Sequence, residues 1–139
     1  MSVNPIYILY PVCALVLLTF VVMLVMGVRR FRAGFAGKVT YRDFAVGESA
    51  NVPPEVSLPN RNYMNLLEAP TLFYVACIVA FVAKVVTPGM IWLAWGYVAL
   101  RLAHSLVHLS YNKVRHRFVS FAASNVVLGI LWVSIAVAL

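Results

Sequence analysis

Acidic side chains are scarce in this 139-residue chain: four Asp and Glu stand against eleven Lys and Arg. Charge of either sign is scarce too, at 11% of residues, where a soluble domain carries nearer a quarter. Cysteine is limited to Cys13 and Cys77. They form no CxxC and have no histidine cluster nearby, so no disulfide framework, redox motif or metal-ligand set is expected. They read as buried free thiols, packing as small apolar residues. Strict apolar–polar alternation over ten-residue blocks is also missing, which argues against a membrane β-barrel.

What is abundant is apolar surface, at 63% of residues. The apolar residues fall into four runs, Pro5–Val28, Leu66–Val86, Met90–Tyr111 and Phe118–Ala138. Each is close to the roughly 20 residues that cross a bilayer core. The expected fold is all-α, an integral membrane four-helix bundle forming one domain over 1–139, with a long cytoplasmic loop at about 29–60.

The net charge of +7 lies between the spans, so topology explains it better than nucleic-acid binding. Arg29, Arg30, Arg32, Lys38, Arg42 and Arg61 sit around the first loop, and Lys113, Arg115 and Arg117 in the third. The second offers Lys84 alone. The positive-inside rule then places loops one and three in the cytoplasm and both termini outside. The N-terminal Met-Ser-Val-Asn-Pro has no basic leader region. Arg30, Arg32, Lys38 and Arg42 read as topogenic charges, and His116 as solvated. Gly and Pro residues crowd the long loop, so little regular structure is expected beyond a helical extension at 29–35. Its Phe31, Phe35, Tyr41, Phe44 and Val46 offer an apolar grip on the membrane surface or the bundle mouth.

Two polar faces interrupt the apolar runs. Arg61, Asn65 and Glu68 are spaced four and three apart, on one side of a helix that Asn60 is placed to cap. Pro70 follows, where a kink is expected. Arg101, His104, His108 and Tyr111 recur at spacings of three, four and three in the third run, again on one face. Counting 1.5 Å per residue puts Arg101 about 16 Å and Glu68 about 27 Å below the outer end of the membrane. A charge at mid-membrane depth faces the bundle interior and is paired. Glu68 is the single acid in any span, but the depths differ by roughly 10 Å. Asn65, the histidines, water or a ligand remain the other partners for Arg101.

Together with Arg29 and Arg117, these groups make a cationic pocket at the inner interface, holding one carboxylate. It suits a small polyanionic ligand from the cytosol beside an apolar one from the bilayer. An ion-coupled exporter fits a lone intramembrane Glu, but the Arg and His set suits an anion better. Haem ligation by His104 and His108 fails because both lie on one helix. A buried Arg101 pair serving only helix register would need just two groups, fewer than the face carries.

The pattern Arg61-x-x-x-Asn65-x-x-Glu68 with Pro70 close behind, and Arg101-x-x-His104 in the third span, resembles the MAPEG family, membrane-associated proteins of eicosanoid and glutathione metabolism. The likeness runs over essentially the whole chain and is to a bacterial-type member. It implies a homotrimer in a bacterial inner membrane, with glutathione as co-substrate held between subunits and the site facing the cytoplasm. Carried over by position, Arg117 would be the catalytic, thiolate-stabilising residue. Arg29, Arg61, Asn65, Glu68, Arg101, His104 and His108 would bind glutathione. The chain departs from the family at His108, where a Tyr is usual, and at Phe118, where a Ser is usual. Glu68 and Pro70 are also closer together than in the eicosanoid-processing members. The implied function is a glutathione-dependent transferase or peroxidase acting on an apolar electrophile or lipid hydroperoxide. A non-catalytic binding or scaffold protein of the same fold is the alternative.

Overall fold

Asn4 opens the helical part of the chain. Its Oδ1 accepts from the Ile6 N–H at 3.1 Å, and Pro5 follows in a first turn, where a missing N–H matters least. The computed structural model describes residues 3–139, so Met1 and Ser2, which begin the stretch without a basic leader, lie outside the described residues. A 3-10 turn at Pro5–Ile8 leads into α1 (Leu9–Phe35). Then come α2 (Pro54–Val82), α3 (Pro88–Leu109) and α4 (Val114–Ala138), with no strand among the described residues. All four are long and apolar enough to cross a bilayer, so the chain is an all-helical integral membrane protein.

Helices α1 and α2, of 27 and 29 residues, reach about 40 Å and exceed a hydrocarbon core of about 30 Å. The overhang shortens the first loop from the expected 29–60 to 36–53. Asn60 does not cap α2: Pro53 does, Pro54 takes the first helical position, and Asn60 lies inside the helix. Pro59 reads as a boundary in the sequence because an interior proline leaves the carbonyl four residues back without its N–H. That carbonyl belongs to Glu55, and Arg29 Nη1 donates to it at 3.1 Å. A bond from α1 thus repairs a local defect in α2. Arg29 Nη2 also donates to the Leu109 carbonyl, at 3.2 Å, in the last turn of α3, where helix carbonyls lack internal partners.

At the other end α2 stops at Val82 rather than Val86, and Lys84 takes a left-handed conformation with φ 60°. Thr87 then caps α3, its Oγ1 accepting from the Met90 N–H at 3.3 Å. Packing runs chiefly α1 on α2 and α3 on α4. Leu15, Val22, Leu66, Leu128 and Leu131 are buried between the helices. Phe73 of α2 stacks on Tyr97 of α3 with ring centroids 4.6 Å apart. The outward faces carry Leu17, Phe20, Leu24, Val126, Ile130 and Val133, an apolar surface suited to lipid and too continuous for water.

The first loop is folded onto the overhang. Val39 and Val52 are buried against Ala33 of α1 and Val56 of α2, with Phe44 packed beside them. Phe31, Phe35, Tyr41 and Val46 remain exposed. Arg30 pairs with Glu48 at 2.9 Å and lies 4.7 Å over the Phe44 ring. Asp43 accepts from the Thr40 N–H at 2.8 Å, the Thr40 hydroxyl at 2.9 Å and the Ser49 hydroxyl at 2.7 Å.

These bonds, the Thr40 N–H first and then the Ser49 and Thr40 hydroxyls, hold the Asp43 carboxyl below its ordinary range. A depressed folded pKa stabilises the loop above the unfolded value, about 3.9, and that contribution fades as pH falls through the folded one. Hydrogen-exchange protection of the Thr40 amide is therefore expected to stay flat from neutral pH to about 4 and to drop below it. A drop already near pH 6 would contradict the assignment.

Candidate functional site

Helix α3 turns five polar or aromatic side chains into the bundle. Tyr97, Arg101, His104, Ser105 and His108 are all buried. Arg101 is 0% exposed. Its Nη2 donates to the Asn65 carbonyl of α2 at 2.7 Å. Its guanidinium lies 5.8 Å from the Tyr97 ring and 5.5 Å from the Phe121 ring of α4, within the range where an aromatic face attracts a cation. The Asn65 carbonyl is next to that of Leu66, which Pro70 leaves without a helical N–H. The partner of Arg101 is thus a backbone carbonyl. Glu68 lies exposed on α2 and forms no ion pair among the described residues.

His104 joins α3 to α4. Its Nδ1 lies 3.0 Å from the Arg117 carbonyl. A carbonyl only accepts, so Nδ1 carries the proton and the lone pair of the neutral ring is at Nε2. That Nε2 is buried without a partner, as are Arg101 Nε and Nη1, His108 Nδ1 and Asn62 Nδ2. The His104 and His108 rings are 5.7 Å apart, edge to face. Ser105 donates to Asn62 Oδ1 at 3.3 Å. A buried polar set with this many unused atoms is costly unless water or a ligand completes it.

A cleft of about 210 Å³ opens beside this set, lined by Asn65, His104, Val114, Arg117, Phe118 and Phe121. Three helices contribute to it. Arg117 is half-buried at its wall, and Nη1 donates to Asn112 Oδ1 at 2.7 Å. Arg115, two residues earlier, is exposed and does not line the cleft.

The structure thus brings Asn65, Arg101, His104 and Arg117 together, with His108 one turn along α3. Arg29 is drawn to the foot of α3, where both terminal nitrogens already hold carbonyls. Arg61 and Glu68 do not join them within one chain; both are exposed on the outer face of α2. His116 is exposed, with Nδ1 2.9 Å from the Tyr111 hydroxyl.

Asn112 is missing from the sequence-based set. It turns the chain between α3 and α4 with φ 48°, a left-handed conformation that Asn tolerates better than most residues. The same side chain holds Arg117. Asn-Lys between two helical runs was a turn signal, but nothing local says what the amide grips. Asn112→Gly keeps the backbone conformation open and removes the amide. It is expected to lower any Arg117-dependent turnover roughly tenfold, the scale of one charge-assisted hydrogen bond, at unchanged thermal stability. A large fall in melting temperature would make the residue a turn former only.

A family model described as "MAPEG family" matches residues 8–137 of the chain. Comparisons with curated proteins and with solved structures find no match.

Proposed function

Given that the chain belongs to the MAPEG family, we propose that it is a membrane-bound glutathione-dependent transferase or peroxidase. The family generally uses glutathione and includes both such enzymes and non-catalytic members. The observation that carries the reading is the cleft where Asn65, His104 and Arg117 meet, backed by the unused buried donors of Arg101.

Arg117 is the catalytic residue in this reading. A guanidinium stays charged in any environment a protein offers and lowers the pKa of a neighbouring thiol, favouring the nucleophilic thiolate. Asn112 fixes where that charge points. His104 presents Nε2 as an acceptor for the thiol proton, because the Arg117 carbonyl holds the other nitrogen. Arg101, with Nε and Nη1 free, and Asn65 bind the anionic peptide, with His108 beyond them. Glutathione supplies the sulfur that attacks an apolar electrophile or a hydroperoxide.

Arg61 and Glu68 complete the site from a neighbouring subunit. Both are exposed on α2 of the single chain. Glu68 still lies within the core by the 1.5 Å rise per residue, where an uncovered charge is expensive, and Arg61 lies two turns further along the same side. A homotrimer, with each ligand between subunits, covers them, and Arg29 joins the ligand set from the end of α1. A groove of about 790 Å³ between the end of α1 and the first loop, lined by Met26, Phe31, Phe35, Val39 and Phe44, offers apolar surface for the second substrate. The basic loops one and three support a site on the cytoplasmic side with both termini outside, and the proposed setting is a bacterial inner membrane.

Calorimetric titration of the detergent-solubilised protein with glutathione is expected to give a Kd below about 1 mM, or roughly −4 kcal/mol. Absence of binding at several millimolar glutathione would turn the assignment to the scaffold reading. Two observations favour that second reading: Phe118 lines the cleft where the family usually has Ser, and two of the Arg29 donors are already spent on carbonyls.

A further inference from the structure

We propose that the inner end of α1 binds an anionic phospholipid of the surrounding membrane. Two depressions meet there. One, of about 370 Å³, is lined by Arg29, Arg32, Lys38 and Glu55. The other, of about 350 Å³, runs along Val21, Leu24, Val25 and Val28. Arg29 and Arg32 line both, so the cationic cup opens directly onto the apolar groove.

The spacing follows from the helix. Positions 21, 24, 25, 28 and 32 share one face of α1, and the charge-free run ends at Arg29. The groove therefore lies at acyl-chain depth, and the cup lies where headgroups begin. Inside the cup three cations face one acid, and that acid is already 3.7 Å from Lys38. Arg29 is fixed by its two carbonyl bonds yet keeps further N–H donors. Arg32 is exposed and makes no side-chain hydrogen bond among the described residues. A phosphodiester with net negative charge suits this cup, and basic pockets between membrane helices on the cytoplasmic side hold such headgroups. A zwitterionic lipid would bring an ammonium against the same three cations. A soluble anion would leave the adjoining groove unused. A second copy of this face would repel the first.

The test uses the full chain in nanodiscs of phosphatidylcholine containing a minor fraction of phosphatidylglycerol. Lipid retained after detergent extraction is quantified by native mass spectrometry. The wild-type protein is expected to retain phosphatidylglycerol above its share in the bilayer. Arg32→Gln/Lys38→Gln should lose that enrichment by roughly fivefold or more, the scale for one or two juxtamembrane cations. The charge-matched control Arg42→Gln/Arg115→Gln, which leaves cup and groove intact, should keep it. Equal loss in both double variants, or no enrichment in the wild type, would overturn the proposal. So would a change of oligomeric state in the first double variant alone, which would make the face a contact between copies. Displacement of the lipid by soluble glycerol phosphate at millimolar concentration would show that the apolar groove contributes nothing, and would equally count against it.

Discussion

Arg117→Ala is expected to lower kcat/KM for glutathione-dependent turnover at least about 100-fold, a loss of about 2.7 kcal/mol of transition-state stabilisation. An aryl halide and an organic hydroperoxide serve as electrophiles. The fold should survive, because the feature that joins α3 to α4 here is the Arg117 carbonyl, accepting from His104, and alanine keeps it. The side chain is only half-buried, and its loss frees Asn112 Oδ1 at the turn. The pH profile separates a thiolate role from a structural one. Without the guanidinium the thiol should titrate near its free value, about 8.5, so the acid limb of the rate profile moves to higher pH. Arg115→Ala, at an exposed site off the cleft, should change turnover less than about twofold, the usual scale for exposed charges. Unchanged activity in Arg117→Ala, or equal losses in the two variants, would remove Arg117 from the chemistry.

Arg101 provides the second large effect, and two substitutions divide its roles. Arg101→Ala should cost about 2–5 kcal/mol of stability, because a fully buried long side chain leaves a cavity between Tyr97 and Phe121. Arg101→Met fills most of that volume without a charge. Replacing a buried charge by an apolar residue of similar size is often neutral or stabilising, so this variant should melt at or above the wild-type temperature. The Asn65 carbonyl loses its Arg101 donor but stays inside a helix. Glutathione affinity should nevertheless fall about tenfold or more, the scale of lost charged hydrogen bonds. If Arg101→Met binds glutathione like the wild type, the guanidinium only sets the register of α3 against α2.

The four spans were legible because their signal is local. A run of about 20 apolar residues with almost no charge reports a membrane helix without reference to any other part of the chain. The polar faces were legible for the same reason, since spacings of three and four place Arg61, Asn65 and Glu68, or Arg101, His104 and His108, on one side of a helix. Boundaries were less so. Pro59 looked like the edge of α2, and no local rule could supply Arg29 as the donor that lets the helix run through it.

The sequence by itself determined the class of the protein, the number of its spans, the basic loops and the residue types of the candidate site. Family membership over residues 8–137 rests on the same chain. Tertiary structure decided the partners. Arg101 and Arg29 bond to backbone carbonyls, and carbonyls are alike in every residue, so no letter marks which one is free. Pro59 leaves the Glu55 carbonyl unserved, and only helix packing brings Arg29 to it. Arg101 reaches the Asn65 carbonyl, beside the one that Pro70 frees, by the packing of α3 on α2. The same holds for Arg115 and Arg117. Two positions apart on a helix they point to nearly opposite sides, and the placement of α4 against α3 decides that Arg117 is the one beside His104.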